Sequence, residues 1–303
     1  MKYLITGATG LIGKAIQEEC RKKGIFIHYL TTSPSKIKET PHCKGFFWNP
    51  KEGTLDTNAL KGVDAIINLA GASIAKRWTT SYKKEILKSR TQSLQILQQF
   101  LRKEKHQVKH LVSASAVGIY PSSETKVYTE DTSITNDSTN FLQQVTTEWE
   151  KEAFKIQELG ISVAIVRVGL VLSTKGGAFV EMLRPLKWGL GAAFGNGNQW
   201  QSWISLTDIA RLFVFATQKR TSGILNGVST HPVSQYQLLK ETSITFKKAF
   251  FMPNIPSFFL KIILGEMSTL LLEGQKVIPK NTLLQGFQFK QDTLDSFLKT
   301  TNQ

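Results

Sequence analysis

The chain of 303 residues is poor in cysteine, in acidic residues and in long apolar runs, and each scarcity excludes a class of protein. Its two cysteines, Cys20 and Cys43, cannot build a disulfide framework, and no Cys/His cluster predicts a metal site. We therefore expect a reducing, cytoplasmic environment. The first residues are apolar over too short a stretch for a signal peptide. The most apolar later stretch, 255–272, contains Lys261 and Glu266, so we expect an amphipathic helix there and no membrane span.

Acidic residues are outnumbered, because 23 of them face 38 lysines and arginines and leave a formal net charge of +15. A hydrophobic content of 41% nevertheless excludes a disordered chain. Basic residues are concentrated between Lys76 and Lys109. Such a stripe can bind nucleic acid or an anionic surface, but no nucleic-acid-binding motif accompanies it. A solvated helix face is the favoured interpretation, and nucleic acid is not the expected partner.

Apolar segments of strand length alternate with segments of helical periodicity. Strands are predicted at 2–6, 25–30, 63–69, 108–113, 162–168 and 224–228. Helices are predicted at 11–21, 79–102, 141–159, 208–218, 234–247 and 255–273. This alternation predicts βαβ units and a parallel sheet. We expect an α/β protein: a Rossmann-type doubly wound sheet over residues 1–230 with a substrate-side insertion at 169–204, followed by a smaller, mostly helical C-terminal lobe at 231–303.

A glycine-rich segment, TGATGLIG, follows the first predicted strand and opens the first helix. In that context, the first glycine permits a tight turn, the second lets a pyrophosphate approach the backbone, and the third allows close packing of helix and strand. Backbone N–H groups at the start of the helix favour an anion. The sequence therefore predicts a dinucleotide site that includes Gly7, Thr9, Gly10, Leu11, Ile12 and Gly13.

The end of the second strand normally distinguishes NAD from NADP, because an acidic residue there binds the ribose 2′-hydroxyl and repels a 2′-phosphate. Here the chain reads Thr31-Thr32-Ser33-Pro34-Ser35-Lys36, with no acid. The hydroxyls and the lysine favour NADP(H) over NAD(H). The arginine that usually contacts the 2′-phosphate is also missing, so this preference is modest.

Three motifs resemble the extended short-chain dehydrogenase/reductase superfamily: TGATGLIG, NLAG at 68–71 and VSASAVGIY at 112–120. More narrowly, nearly the whole chain resembles the "epimerase family protein" branch of that superfamily. The segments that carry this resemblance are WNPKEGTLD (48–56), RWTTSYKKEILKSR (77–90), RVGLVLSTKGGA (167–178), GNGNQWQSWISLTDI (195–209) and GEMSTLLLEGQKVIPKNTLLQGFQF (265–289).

The resemblance implies a dinucleotide-binding fold and, as in a human member of the branch, bound NADPH. It implies cofactor contacts at Thr31, Thr32, Leu69, Ala70, Gly71, Glu85, Arg90 and Leu170. That relative has Ser-Arg where this chain has Thr31-Thr32, and Arg90 could supply the missing guanidinium. From the residues alone, the favoured interpretation of Glu85 and Arg90 is a surface ion pair on a basic helix.

Catalysis in this superfamily uses a serine, a tyrosine and a lysine four residues after the tyrosine. Ser115 matches the serine, although it could also simply end a strand with a small hydroxyl group. No tyrosine occurs between residues 129 and 235, and Leu142 and Thr146 align with the expected pair. Tyr120 is a candidate replacement acid. The literal motif Tyr236–Lys240 follows the wrong element and is expected to pack in the core.

Trp200 and Trp203 flank a glycine-rich segment and could either line a substrate pocket or anchor that segment to the core. The five histidines form no spaced pair with carboxylates, so neither a metal site nor a Ser-His-Asp site is expected.

These features predict an NAD(P)-binding oxidoreductase or epimerase-like enzyme that prefers NADP(H). Its substrate is an unidentified small carbonyl or sugar-type molecule, held near Ser115 beneath the 169–204 insertion. The alternative is a catalytically weak dinucleotide-binding redox sensor that regulates a partner. The chain is expected to be a monomer, or a homodimer through the helices at 79–102 and 141–159.

Overall fold

The computed structural model describes residues 1–134 and 140–301. Its strands are β1 (Lys2–Thr6), β2 (Phe26–Thr31), β3 (Glu39–Thr40), β4 (Cys43–Asn49), β5 (Thr54–Leu55), β6 (Ala65–Asn68), β7 (His110–Ala116), β8 (Val127–Tyr128), β9 (Ser162–Val168), β10 (Leu170–Leu172), β11 (Trp200–Gln201), β12 (Trp203–Ser205), β13 (Gly223–Gly227), β14 (Val233–Ser234) and β15 (Lys276–Val277). Its α-helices are α1 (Leu11–Lys22), α2 (Thr80–Lys103), α3 (Phe141–Phe154), α4 (Ala178–Lys187), α5 (Leu206–Lys219), α6 (Gln235–Thr245), α7 (Ser257–Leu264), α8 (Thr269–Leu272), α9 (Lys280–Leu284) and α10 (Leu294–Thr301). Short 3₁₀ helices lie at Pro34–Lys36, Thr57–Leu60, Val117–Ile119, Lys155–Leu159 and Gly265–Ser268.

The main sheet has the order β13-β9-β7-β6-β1-β2-β4, and all of these strands are parallel. At one edge β3 and β5 pair antiparallel with β4. The chain starts in the middle of the sheet, winds toward the β4 edge, and then crosses β1 to build the other half. This topology confirms the predicted Rossmann-type doubly wound α/β fold.

Helices cover both faces of the sheet, with α1 and α5 packed together on one side and α2 and α3 on the other. Strands buried on both faces require continuous apolar runs, which explains the sequences KYLIT of β1 and SVAIVRV of β9. The carboxyl ends of the parallel strands therefore meet at one edge of the sheet, where ligands bind in folds of this type.

Two of the differences from the sequence-based expectation have a clear physical reason. Strand β4 was missed because Lys44 and Gly45 interrupt its apolar pattern; Gly45 leaves room for the Tyr29 ring, which a Cβ would approach to 2.6 Å. The helix expected at 255–273 is broken into α7, a 3₁₀ turn and α8. The break falls at Gly265, which has a φ of +57°, a conformation that favours glycine.

A second, smaller core lies beside the sheet and combines the 169–204 insertion with later segments. Its buried apolar residues come from β10, α4, β12, α6 and α10 and include Leu172, Phe179, Trp203, Leu238 and Phe297. The last helix of the described chain therefore packs on the insertion.

Two buried carboxylates join the C-terminal residues to the sheet. Asp208 of α5 accepts hydrogen bonds from the backbone N–H groups of Lys290 and Gln291, at 2.9 and 2.8 Å. Glu130 accepts from the N–H groups of Asn226 in β13, at 2.8 Å, and of Asn281 in α9, at 3.1 Å. Both carboxylates are buried, so each needs these hydrogen-bond donors. The C-terminal segment therefore packs as an integral part of the domain that contains the sheet.

Candidate functional site

The predicted phosphate loop joins β1 to α1 in one tight turn. Gly7 has a φ of +67°, and its carbonyl accepts a hydrogen bond from the Gly10 N–H group at 3.0 Å. A Cβ on Gly13 would lie 2.4 Å from the same carbonyl oxygen. A Cβ on Gly7 would lie 2.8 Å from the Leu69 carbonyl oxygen, just beyond β6. The loop is so compact that Gly7 and Gly13 exclude any larger residue.

Helix α1 begins at this loop without a side-chain cap, because Gly10 occupies the capping position. Lys14 donates its backbone N–H to the Gly10 carbonyl oxygen at 2.9 Å. The N–H groups of Leu11 and Ile12 precede that bond and have no acceptor within the helix. These donors and the positive end of the helix dipole favour a phosphate, and the exposed Thr9 adds a hydroxyl group.

A line of hydrogen bonds ties together the carboxyl ends of β1, β6 and β7. The buried Thr6 hydroxyl donates to Asn68 Oδ1 at 2.7 Å, and the Asn68 amide donates to Ser113 Oγ at 3.1 Å. Thr6 Oγ1 also accepts from the N–H groups of Leu69 and Ala70, each at 3.1 Å. These bonds fix the backbone that packs against the phosphate loop. Sequence reasoning missed this role, although an asparagine that ends an apolar strand is a usable signal.

Arg90 of α2 lies against the same backbone, because a Cβ on Gly71 would be 3.1 Å from Arg90 Cζ. Its Nη1 donates to the carbonyl oxygens of Ala72 and Ile86 at 3.2 and 2.9 Å, and Cζ lies 5.0 Å from the centre of the Trp149 ring. Burial lowers the pKa of Arg90 to about 10. Among the described residues, no carboxylate forms an ion pair with it. The guanidinium is therefore a partly buried positive charge that an anionic ligand could neutralise.

Glu85 does not pair with Arg90, which corrects the interpretation of these two residues as a surface ion pair. Glu85 instead forms an exposed ion pair with Lys51 at 3.1 Å. Elsewhere on α2, Lys83 contacts Glu266. Most of the basic stripe is thus a solvated helix face with local ion pairs. Arg90 differs, because it packs against the backbone of Gly71 and Ala72 beside the phosphate loop.

The end of β2 presents hydroxyl groups and no acid. Thr31 is buried and its hydroxyl accepts from the Ser33 N–H group at 3.2 Å, whereas Thr32 is exposed. The hydroxyl oxygens of Ser33 and Ser35 lie 2.9 Å apart. The segment Thr31–Lys38 contains two lysines and no carboxylate, so its charge is positive where NAD-specific sites place an acid.

A buried cluster of polar side chains surrounds Ser115 near the carboxyl end of β7. The Ser115 hydroxyl donates to Glu150 Oε1 of α3 at 2.7 Å. Arg167 of β9 binds the same carboxylate through two nitrogens, each at 2.8 Å. Burial alone would lower the pKa of Arg167, but its hydrogen bonds and charge interaction with Glu150 hold that pKa above the usual range. Arg167 therefore remains charged, and its two hydrogen bonds fix the carboxylate that accepts from the Ser115 hydroxyl.

Tyr120 belongs to this cluster and is buried. Its Oη accepts from Arg167 Nη1 at 2.9 Å and donates to Asn226 Oδ1, also at 2.9 Å. Burial raises the pKa of Tyr120, although the charge and the hydrogen bond of Arg167 oppose this shift. In this structure the hydroxyl therefore supports the buried arginine, and the role of Tyr120 as a replacement acid stays a prediction.

The helix face that should carry the tyrosine–lysine pair carries Leu142, Thr146 and then Glu150, spaced by four residues. The Thr146 hydroxyl donates to the Leu142 carbonyl oxygen at 2.8 Å, and Leu142 packs beside Gly118. Sequence reasoning missed Glu150 and Arg167. The usable signal was the arginine itself, because a charged residue inside the apolar run VAIVRV requires a buried partner.

The two tryptophans of the insertion have different environments. Trp203 is fully buried, its Nε1 donates to a backbone carbonyl oxygen at 2.9 Å, and its ring lies 6.0 Å from that of Phe297. These contacts match the anchoring alternative and correct the idea that Trp203 lines a pocket. Trp200 is partly exposed, donates to the Glu124 carbonyl oxygen at 2.7 Å and has Lys276 Nζ 4.2 Å from its ring centre.

The insertion also reaches the phosphate loop. Leu170 in β10 is the register partner of Trp203 in β12. The loop after β10 then returns to α1, since a Cβ on Gly177 would lie 3.2 Å from Leu11 Cδ2. The insertion therefore lies beside the phosphate loop, and Leu170 and the end of β7 are further candidate ligand contacts.

The literal Tyr-x-x-x-Lys motif lies on α6 and has no described contact with Ser115. Tyr236 is 43% exposed and its ring lies 5.4 Å from that of Phe250, so the expectation of a core position is wrong. Over residues 1–134 and 140–301, no group of three or more His, Cys, Asp or Glu side chains is placed to hold a metal. In the same ranges, no helix is both long and apolar enough to cross a membrane.

The sheet topology, the glycine cradle and the unneutralised guanidinium together define an α/β protein that binds a dinucleotide. The chain belongs to the NAD-dependent epimerase/dehydratase family, which it matches over residues 3–227. Residues 255–301 match a second family, described as a domain of unknown function, DUF1731.

Similar proteins cover the whole chain. The "epimerase family protein YfhF" of Bacillus subtilis is 35% identical over 296 residues, 97% of this chain and 96% of its own. The crystal structure of human epimerase family protein SDR39U1 with NADPH superposes with a TM-score of 0.85 at 29% identity, covering 100% of this chain and 99% of its own. MoeE5 in complex with UDP-glucose and NAD shares the fold, with a TM-score of 0.78 at 17% identity and coverage of 100% and 97%.

Proposed function

We propose that this protein binds NADP(H) at the Gly7–Gly13 loop and acts as an oxidoreductase or epimerase on a small hydroxyl or carbonyl compound. The observation that carries the proposal is the glycine cradle: at Gly7 and Gly13, a Cβ would approach backbone atoms to 2.8 Å or less. Such packing serves to bring backbone N–H groups close to a pyrophosphate. The human relative with bound NADPH supports the same assignment.

The preference for NADP(H) rests on charge. Between Thr31 and Lys38 the hydroxyl groups can donate to a 2′-phosphate, and two lysines offset its charge. Arg90 offers a further guanidinium without a carboxylate partner. An acid at this position would repel the phosphate, and none is present.

When bound, a nicotinamide supplies hydride transfer to or from a substrate carbon. The chain's own contribution is at Ser115. Its hydroxyl proton points to Glu150, so its oxygen offers lone pairs to a ligand. Ser115 would accordingly accept a hydrogen bond from a substrate hydroxyl group. Two hydrogen bonds from Arg167 fix the Glu150 carboxylate, so that the orientation of Ser115 does not change when a ligand arrives.

A redox-sensing function is the second candidate, and one observation favours it. Leu142 and Thr146 occupy the helix face where the superfamily has its tyrosine and lysine, and the Thr146 hydroxyl is bonded to the helix backbone. A protein that binds the cofactor but lacks a proton donor for exchange with substrate would report the redox state of the cofactor without turning over.

Cofactor binding is tested first, with fluorescence titration of NADPH and NADH. We expect tighter binding of NADPH, and a loss of about tenfold in Arg90→Met because a charge-assisted hydrogen bond is removed. Arg102→Met is the matched control on the same helix, since Arg102 is exposed and pairs with Glu158. Equal affinity for NADH and NADPH would contradict the preference, and an unchanged affinity in Arg90→Met would contradict the site.

Activity is then tested by following NADPH absorbance with a panel of ketones, aldehydes, quinones and nucleotide-linked sugars, and by NADP⁺ reduction with the corresponding alcohols. We expect Ser115→Ala to lower kcat and leave NADPH affinity unchanged. If the wild-type protein binds NADPH tightly and no compound in the panel changes its redox state, the sensor function replaces the enzymatic one.

A further inference from the structure

Helix α7 is almost without a partner in the fold. Of its eight residues only Leu260 is buried, whereas Phe258, Phe259, Ile262 and Ile263 are each at least half exposed. Large apolar side chains grouped in this way are rare on the free surface of a soluble monomer and mark a contact with another phase or molecule.

Neighbouring segments extend this surface. The loop after α4 runs beside the segment before α7, since the Ile255 N–H group donates to the Ala193 carbonyl oxygen at 2.8 Å and a Cβ on Gly191 would lie 3.2 Å from the Phe250 ring. Trp188 is 80% exposed and Phe251 76%. These neighbouring segments therefore carry a group of exposed apolar side chains: Trp188, Leu190, Phe251, Phe258, Phe259, Ile262 and Ile263. Together with the lysines described next, we name this group the apolar–basic surface.

Within the two segments that carry this surface the charged residues are all lysines, and the exposed Glu266 follows two residues after the second segment. Segments 185–197 and 244–264 contain Lys187, Lys247, Lys248 and Lys261, which are exposed, and no aspartate or glutamate. Lys261 also interacts electrostatically with the half-buried carboxylate of Glu273, which lies beyond these segments. Exposed aromatic and aliphatic residues accompanied by lysines are the composition of helices that lie in the interface of an anionic bilayer.

We propose that the apolar–basic surface docks the protein on an anionic lipid membrane, with α7 lying in the headgroup region. A second copy of the chain fits less well, because a two-fold contact would bring these lysines against their own copies with no carboxylate between them. A folded protein partner would need a pocket for each protruding side chain. A bilayer accepts them without pockets and supplies the negative charge.

Co-sedimentation of the full chain with phosphatidylcholine vesicles, with and without phosphatidylglycerol, tests this proposal. We expect sedimentation with the anionic vesicles, weakened by salt and much lower without phosphatidylglycerol. The variant Ile262→Asp should lower the partition coefficient at least about tenfold, because it removes an inserted side chain and adds a repelled charge. Replacing Lys247 and Lys248 by Gln should cost about fivefold for each lysine.

Leu284→Asp is the matched control, since Leu284 is 74% exposed on α9 and lies outside the surface. It should leave vesicle binding unchanged, and both aspartate variants should keep the wild-type circular dichroism spectrum and NADPH affinity. No sedimentation with anionic vesicles would overturn the proposal. So would equal losses in the two aspartate variants, or a stable dimer in solution that Ile262→Asp dissociates while vesicles do not bind.

Discussion

The phosphate loop and the buried cluster around Glu150 lie at the carboxyl ends of strands in the same sheet, yet they are built in opposite ways. The loop uses backbone donors and missing side chains from one continuous segment, Gly7–Gly13. The cluster uses the side chains of Ser115, Tyr120, Glu150 and Arg167, which come from three separate parts of the chain. The loop should therefore be sensitive to added volume, and the cluster to lost charge.

The largest effect is expected when the cluster loses its cation. Arg167→Met leaves Glu150 buried and unpaired, which should lower the free energy of unfolding by about 3–5 kcal/mol. Urea denaturation followed by circular dichroism measures the change. Arg184→Met is the control, because Arg184 forms an exposed ion pair with Glu181 at 2.8 Å, and it should cost less than about 1 kcal/mol.

The double variant Glu150→Leu/Arg167→Met separates lost charge balance from lost packing. It should recover most of the stability, because no charge remains unpaired in the interior. A double variant no more stable than Arg167→Met would show that the shape of the cluster matters more than its charge.

Added volume in the loop should chiefly affect binding. Gly13→Ala places a methyl group 2.4 Å from the Gly7 carbonyl oxygen, so the loop must shift. The backbone N–H groups at the start of α1 then no longer point at the phosphate. We expect NADPH affinity to fall by roughly 100-fold, the equivalent of two charge-assisted hydrogen bonds. Gly53→Ala is the control: its φ of +70° should cost stability, but NADPH affinity should be unchanged. Unaltered NADPH affinity in Gly13→Ala would refute the loop assignment.

A smaller effect is expected for Tyr120→Phe, because this variant lacks the hydroxyl oxygen that accepts a hydrogen bond from Arg167. We expect a loss of about 1–2 kcal/mol near neutral pH. Burial raises the pKa of Tyr120. The folded chain therefore keeps the Tyr120 hydroxyl proton at a pH of about 10, where the phenol of the unfolded chain releases it. Its contribution to stability is thus complete below that pH and is lost as pH rises above it.

As the pH rises from about 9 to about 11, the free energy of unfolding should accordingly fall less in Tyr120→Phe than in the wild type. Urea midpoints measured across that range provide the check. Tyr236→Phe, at an exposed tyrosine, should follow the wild-type curve. A Tyr120→Phe curve parallel to the wild type would mean that this phenol does not govern alkaline stability.

The smallest effect is expected at Glu85, for which the resemblance implies a cofactor contact. Its exposed pair with Lys51 predicts that Glu85→Gln changes the free energy of unfolding by less than about 1 kcal/mol. If Glu85→Gln changes the NADPH affinity by less than twofold, Arg90 rather than Glu85 is the residue of α2 that contributes to cofactor binding. A larger loss would show that Glu85 leaves Lys51 to contact the cofactor.

The loop was predictable from sequence because its chemistry is local: glycines at fixed spacing between a strand and a helix encode their own geometry. The parallel sheet was predictable too, from the alternation of apolar strand-length segments with helical segments. Strand β4 was not predictable, since Lys44 and Gly45 hide its apolar face and only the Tyr29 ring explains the glycine.

The cluster could not be derived in this way, because Ser115 and Glu150 are 35 residues apart and their pairing depends on how α3 packs on β7. The surroundings of Tyr120 could not be derived for the same reason, because its hydroxyl contacts Arg167 of β9. Trp203 likewise needed the partner Phe297, which lies near the end of the chain.

The two carboxylates that receive the C-terminal segment have a consequence for biosynthesis. Glu130 and Asp208 leave the ribosome well before Asn281, Lys290 and Gln291, the residues whose N–H groups they accept. Until those residues emerge, each carboxylate must remain hydrated, and the edges of the sheet near β13 and α5 cannot close around it. The final stage of folding therefore waits until residues 281–291 have been synthesised, and a nascent chain stalled near residue 230 would present an open sheet edge to chaperones.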